Sequence, residues 1–271
     1  MSSHVFDQAL ALTALPDGTW QGHTSPAYAN IVGPFGGITA AQVLTAVQRH
    51  PQLLGTPLSL TVNYAAALAD GAFVVDARPV RTNRSTQHWA IEASQGDSVV
   101  AMATAVFAER RSTWSDTEAV PPPDMPPAEA LQRMLPGPDM PAWPHRYDMR
   151  FAQGEFPDQF DEQEQPHSRS NLWVRDEPVR PLDFASLAAI SDSFFPRIYI
   201  RRRRRALIGT VSMTTYFHAD QAILSGVGTA HVMATARALN YRNGYFDQSG
   251  EFWSAEGQLL ASAHQVVYYK E

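Results

Sequence analysis

The chain reads as an α+β protein made of two tandem units, each a long helix packed on an antiparallel sheet. Three observations carry this. A helical run followed by four strand-like runs occupies residues 38–108, the same order returns in residues 182–269, and a proline-rich stretch divides them. The last strands of the two halves also align in sequence, residues 99–107 (VVAMATAVF) with residues 259–267 (LLASAHQVV). Self-similarity at that spacing points to an internal duplication.

Composition sets the bounds. A chain of 271 residues, 44% hydrophobic and 18% charged, can bury a sizeable core and is not disordered throughout. A net charge of −6 argues against nucleic acid or a membrane surface as the main partner. The absence of cysteine removes disulfides, thiol catalysis and Cys-ligated zinc. The first 18 residues lack the basic and apolar regions of a signal peptide, and no window approaches ~18 consecutive apolar residues. The expectation is a cytoplasmic protein with no membrane insertion.

In chain order, residues 5–14 form a short amphipathic helix and residues 16–18 a turn. Residues 19–23 and 27–32 are weak strands. The GPFGG run at 33–37 opens a helix over 38–49. Strands follow at 58–67, 71–82, 87–94 and 98–108, rich in β-branched and aromatic residues and separated by Asp/Asn/Gly turns. Nine prolines crowd residues 121–144, which leaves room for a helical turn or two around 128–134 and otherwise a semi-rigid connection. The predicted boundaries are a first unit at 1–112, a linker at 113–145, and a second unit at 146–271 that carries the active centre. In the second unit, strands at 145–153 and 170–175 precede a helix over 182–196. Strands at 206–218, 228–239, 244–254 and 258–269 follow it, with a turn at 220–221.

The chain is organised around residues 182–196, LDFASLAAISDSFFP. Asp183 is placed to cap the helix, small residues allow close packing, and Pro196 ends it. Asp192 lies on the flank of the buried stripe, near a helix C-terminus where the macrodipole disfavours an anion. Either it turns out to solvent or it is kept there for chemistry.

Several short motifs, in order, resemble the acyl-CoA thioesterase II family: FGG at 35–37, SDSFFP at 191–196, GTVSMTTYFH at 209–218 and LLASAHQ at 259–265. The likeness covers nearly the whole chain. It implies a double hotdog fold and hydrolysis of an acyl-CoA substrate without a cofactor. In that family an Asp, a Thr and a Gln hold the hydrolytic water, and they map to Asp192, Thr210 and Gln265. The sequence departs from the family pattern at Ser212, where an Asp is usual, and in the arginine run at 201–205.

The chemistry stands on the residues as well. A carboxylate can deprotonate water, while a hydroxyl and a carboxamide fix its other contacts. The start of the first helix at Gly36 and Gly37 could give N–H groups to the thioester oxygen, or could simply permit tight packing of helix on sheet. The first half has Ala105 in the place of Gln265 and no acid within its helix, so one active centre per chain is expected. Arg201 and Arg202, with Arg197 and the rest of the run, could grip coenzyme A phosphates, or form a solvated basic loop or a subunit contact. His218, His231 and His264 are scattered and read as structural. No GxSxG, HExxH or dinucleotide loop is present. Two alternatives remain: an enoyl-CoA hydratase or dehydratase of the same fold, and a non-catalytic acyl-group binder. Exposed sheet edges predict a homodimer or higher homo-oligomer.

Overall fold

A computed structural model describes residues 4–270. The first half runs α1 (Val5–Ala9), β1 (Thr13–Ala14), β2 (Trp20–His23), α2 (Gly36–Gln48), β3 (Thr56–Tyr64), β4 (Ala72–Thr82), β5 (Thr86–Gln95) and β6 (Ser98–Ala108). The second half runs β7 (Tyr147–Gln153), β8 (Ser170–Asp176), α3 (Phe184–Ile190), α4 (Arg197–Arg202), β9 (Leu207–Phe217), α5 (Gln221–Val227), β10 (Val232–Arg237), β11 (Tyr241–Arg242), β12 (Tyr245–Trp253) and β13 (Leu259–Lys270).

The strands form a single antiparallel sheet whose order is β1-β2-β4-β5-β6-β3-β9-β13-β12-β10-β8-β7, with β11 attached to β12. Read outward from the β3–β9 seam, the two halves have matching order. This is the structural form of the duplication. At the seam Ser59, Thr61 and Asn63 face Tyr216, Thr214 and Ser212, and the Thr61 and Thr214 hydroxyls are 2.9 Å apart. Strand patterning follows the pleat: on β5, Gln87, Trp89, Ile91 and Ala93 are buried and the residues between them are more exposed.

The central helix is α2. Every residue from Gly37 to Val47 is buried, as expected of a helix that is apolar or small on all sides. It packs against β3, β4, β5 and α3.

Several sequence-based expectations are corrected. The helix expected over 182–196 is broken: α3 has seven residues, so the second unit does not contain a long helix. Asp183 does cap α3, accepting from the Ser186 N–H at 2.8 Å. Beyond it the Ser191 hydroxyl bonds back to the Leu187 carbonyl at 2.8 Å. Such side chains compete with helical backbone bonds. Pro196 then bars helical geometry at Phe195 and caps the next helix instead of ending the first. Residues 220–221 are not a plain turn, because Asp220 caps α5 through the Ile223 N–H at 2.9 Å. Residues 26–28 are a 3₁₀ turn, not a strand. The proline-rich segment is exposed over 113–120 but then enters the core: Pro126 accepts from the Trp173 indole at 2.8 Å, and Trp143 is buried.

Candidate active site

Asp192 lies in the turn after α3, not on the helix, and faces the N-terminus of α2. Its carboxylate accepts the Gly37 backbone N–H and, at 2.9 Å, the Gln265 amide. A helix N-terminus favours an anion, so the dipole argument drawn from the sequence changes sign. Burial nevertheless dominates. It pushes the Asp192 carboxyl up to about 7, against the opposing pull of the Gln265 and Gly37 hydrogen bonds. A carboxyl that titrates near neutrality can exchange a proton with water in either direction.

The two glycines are needed for this approach. A Cβ on Gly36 would come within 2.8 Å of Asp192 Oδ2, and one on Gly37 within 2.4 Å of the Ala189 carbonyl oxygen. The close packing is of α2 on α3 and on Asp192, where the sequence suggested helix on sheet.

Gln265 is buried on β13, opposite Met213 of β9. Besides Asp192, its amide nitrogen touches the Met213 sulfur at 3.4 Å and the Ser191 carbonyl at 3.5 Å. Thr210 is also on β9, opposite Val267, with a bulge between it and Ser212. The bulge puts Thr210 on the same face as Met213 and hence as Gln265. Among the described residues no hydrogen bond joins Thr210 to Asp192 or Gln265.

Sequence reasoning missed three members of this wall. The Tyr64 hydroxyl, at the end of β3, donates to the Gly36 carbonyl at 2.9 Å. Burial, and then the Asp192 charge, hold its pKa well above the usual tyrosine value. Tyr147 is likewise raised, first by burial, then by Tyr28 and Asp176, and less by Asp192. Trp143 stacks on Phe35 at 4.5 Å and lies 5.6 Å from Phe195. A tyrosine ending a strand and a tryptophan among prolines carry no local signal of this role. The polar pair Asp192–Gln265 belongs to the second half, but its floor at Gly36, Gly37 and Tyr64 belongs to the first.

Arg197 is fully buried and cannot meet a ligand at the surface. Its guanidinium donates to the Phe195 carbonyl (3.1 Å from Nε, closer from Nη2), Gln248 Oε1 (3.1 Å), the Ser168 carbonyl (2.8 Å) and Ser170 Oγ (2.8 Å). Burial lowers it to about 10. It therefore ties the segment after Asp192 to β8 and β12. Arg201 and Arg202 occupy the last turn of α4, not a loop, and both reach Glu164, at 3.3 and 3.0 Å. Arg203 and Arg204 pair with Asp161 and Glu162 at 3.1 and 3.7 Å. The arginine run is thus matched by an acidic loop of the same chain.

Among the described residues there is no cluster of three or more His, Asp or Glu side chains that could hold a metal ion. The three histidines flagged above have separate partners: His218 with Ser262 (2.9 Å), His231 with Asp148 (3.0 Å) and His264 with Ser249 (3.0 Å). No helix among the described residues is long and apolar enough to cross a membrane.

A doubled helix-and-sheet order fits a double hotdog fold, and comparison with known proteins agrees. Residues 24–108 match the acyl-CoA thioesterase N-terminal domain and residues 117–269 the acyl-CoA thioesterase C-terminal domain. The chain belongs to the acyl-CoA thioesterase II family and is a thioester hydrolase. It is similar to a hot dog fold protein of unknown function from Alicyclobacillus acidocaldarius, with 46% identity over 100% of this chain and 99% of the other and a TM-score of 0.93. The acyl-CoA thioesterase II TesB2 of Mycobacterium marinum is 17% identical over 98% of each chain, with a TM-score of 0.76. A polyketide dehydratase domain from Mycobacterium tuberculosis is further away, 13% identical over 99% of each chain with a TM-score of 0.58. No curated protein sequence matches the chain.

Proposed function

We propose that the enzyme hydrolyses acyl-CoA by direct attack of a water held by Asp192, Gln265 and Thr210. The observation that carries this reading is the Asp192 carboxyl, raised to about 7 and fixed between Gln265 and the start of α2. The ionised carboxylate takes a proton from the water as its oxygen bonds to the thioester carbon. As the negative charge leaves Asp192 it develops on the carbonyl oxygen, for which we assign the Gly36 N–H as donor while the Gly37 N–H stays on Asp192. The C–S bond then breaks, and the thiolate recovers the proton from Asp192. Thr210 and Gln265 position the water, which converts a bimolecular encounter into an oriented one. Thr210 is assigned by its place on the shared face of β9 and β13.

A water mechanism forms no covalent intermediate. Rapid mixing with a slow acyl-CoA should give no burst of free thiol, and mass spectrometry should show the unmodified chain. An acyl adduct on Thr210, Ser191 or Ser193 would overturn the mechanism. Hydration of an enoyl-CoA, without thiol release, would favour the dehydratase-like alternative.

A further inference from the structure

The Tyr64 hydroxyl stands beside the Asp192 carboxylate as well as beside α2. A Cβ built on Gly36 would lie 2.8 Å from Asp192 Oδ2 and 3.4 Å from Tyr64 Oη. The two oxygens are therefore at most about 6 Å apart, a gap that one small group fills with hydrogen bonds of ~2.8 Å to each side. Gly36, Tyr64 and Asp192 each keep part of their surface exposed, so this edge of the site is open to a substrate. The hydroxyl gives its proton to the Gly36 carbonyl at 2.9 Å. Burial, and then the Asp192 charge, keep the phenol protonated, so it remains a donor where Asp192 titrates.

The duplication isolates the hydroxyl. Ala101 of β6 aligns with Ala261 of β13, and the registers pair Tyr64 with Ala101 and Phe217 with Ala261. Phe217 thus holds in the second half the place that Tyr64 holds in the first. The helices correspond as well: Tyr64 meets the first residue of α2, and Phe217 meets Phe184, the first residue of α3, at 5.8 Å. A phenylalanine therefore suffices for ring packing at a helix start, and the hydroxyl is present where Asp192 faces that start. On the water mechanism above, the Gly37 N–H holds Asp192 and the Gly36 N–H meets the carbonyl oxygen. We propose that the Tyr64 hydroxyl is a second donor to that oxygen, a catalytic residue contributed by the first half. As the water oxygen bonds to the thioester carbon, the C=O electron pair moves onto oxygen. The Tyr64 proton turns from the Gly36 carbonyl toward that oxygen without leaving the phenol. When the C–S bond breaks, the C=O bond re-forms and the hydroxyl returns to Gly36. The contact strengthens as charge develops, so it acts on kcat more than on binding. The proposal rests on the direct-water reading.

The test is Tyr64→Phe, which keeps the ring and installs the residue that the second half carries. With an acyl-CoA, kcat should fall about 10²-fold or more and KM should change little. Two substrate analogues separate charge stabilisation from packing. The trifluoromethyl ketone analogue adds water to form the same tetrahedral oxygen, and it should bind more weakly by the factor lost from kcat/KM. The S-alkyl thioether analogue has no carbonyl oxygen and should bind as it does to wild type. Unchanged kcat would overturn the proposal. So would equal weakening of both analogues, which would mean that the hydroxyl only holds the Gly36 carbonyl in place. Should the Phe variant lose its fold, replacing Tyr64 by 3-fluorotyrosine, a stronger donor of similar size, should tighten the ketone and not the thioether, and equal effects on the two would overturn the proposal. Asp192→Asn tells this proposal from the reading it rests on. If Asp192→Asn stays active while Tyr64→Phe does not, the base is misassigned and the donor stands. If activity is lost in Asp192→Asn alone, the donor is misassigned and the base stands.

Discussion

At the scale of single residues, the fold is set against itself at Asp192. Burial disfavours the ionised carboxylate more than Gln265 and the Gly37 N–H favour it, which raises the group from 3.8 to about 7. The folded state therefore holds the proton more tightly than the unfolded chain does. Stability is fully present below about pH 4 and is lost progressively as pH rises to about 7, with no further loss beyond. Asp192→Asn removes this titration. Its melting temperature should exceed that of wild type at pH 8, and the difference should shrink as pH falls toward 4. Asp176, raised by burial to about 6, titrates in both proteins and cancels from the comparison. A melting difference independent of pH would mean that Asp192 is ionised at its ordinary value. Arg197 shows the complementary case, a buried cation satisfied by neutral oxygens, which orders the segment that follows Asp192.

At the scale of elements, the contact of α2 with α3 and the turn after it decides where Asp192 sits. Gly→Ala in a helix ordinarily stabilises by up to about 1 kcal/mol. At Gly36 the added methyl would stand 2.8 Å from Asp192 Oδ2, so Gly36→Ala should instead displace the carboxylate. Hydrolysis should fall at least 10-fold in kcat while the melting temperature stays within a few degrees, and full activity would show that the carboxylate has room to move. Much of this level was legible beforehand. Runs of β-branched and aromatic residues bounded by Asp/Asn/Gly turns placed the long strands within a few residues of their observed ends, because such side chains suit a half-buried pleat and such turns mark the reversals. The break after Ile190 was not legible: Phe195 falls four residues after Ser191, so helical periodicity continues through residues that are not helical. The α5 helix was missed because residues 220–221 read as a turn and its seven residues are too few for a helical period to stand out. The pairing of the arginine run with residues 161–164 is a contact between distant segments, and no local pattern in either announces it.

At the scale of the whole molecule, duplication has been followed by specialisation. The mirrored strand order makes β6 the counterpart of β13 and β3 the counterpart of β9. Where the second half has Gln265 opposite Met213, the first has Ala105 opposite Leu60. The first half keeps the long buried helix and gives its N-terminus, with Tyr64, to the second half's carboxyl. The candidate site is thus composite, and the sequence revealed which half holds Asp192 and Gln265 but not that the other half forms their floor. On the proposed mechanism no second centre sustains turnover once Asp192 is replaced. The most direct measurement is steady-state release of thiol from an acyl-CoA by Asp192→Asn beside wild type. Loss of a general base costs about 10²–10⁴ in rate. The expected result is a fall of that size in kcat, with the acid limb near pH 7 abolished and acyl-CoA affinity little changed. Near-full activity in Asp192→Asn would contradict the assignment of the base.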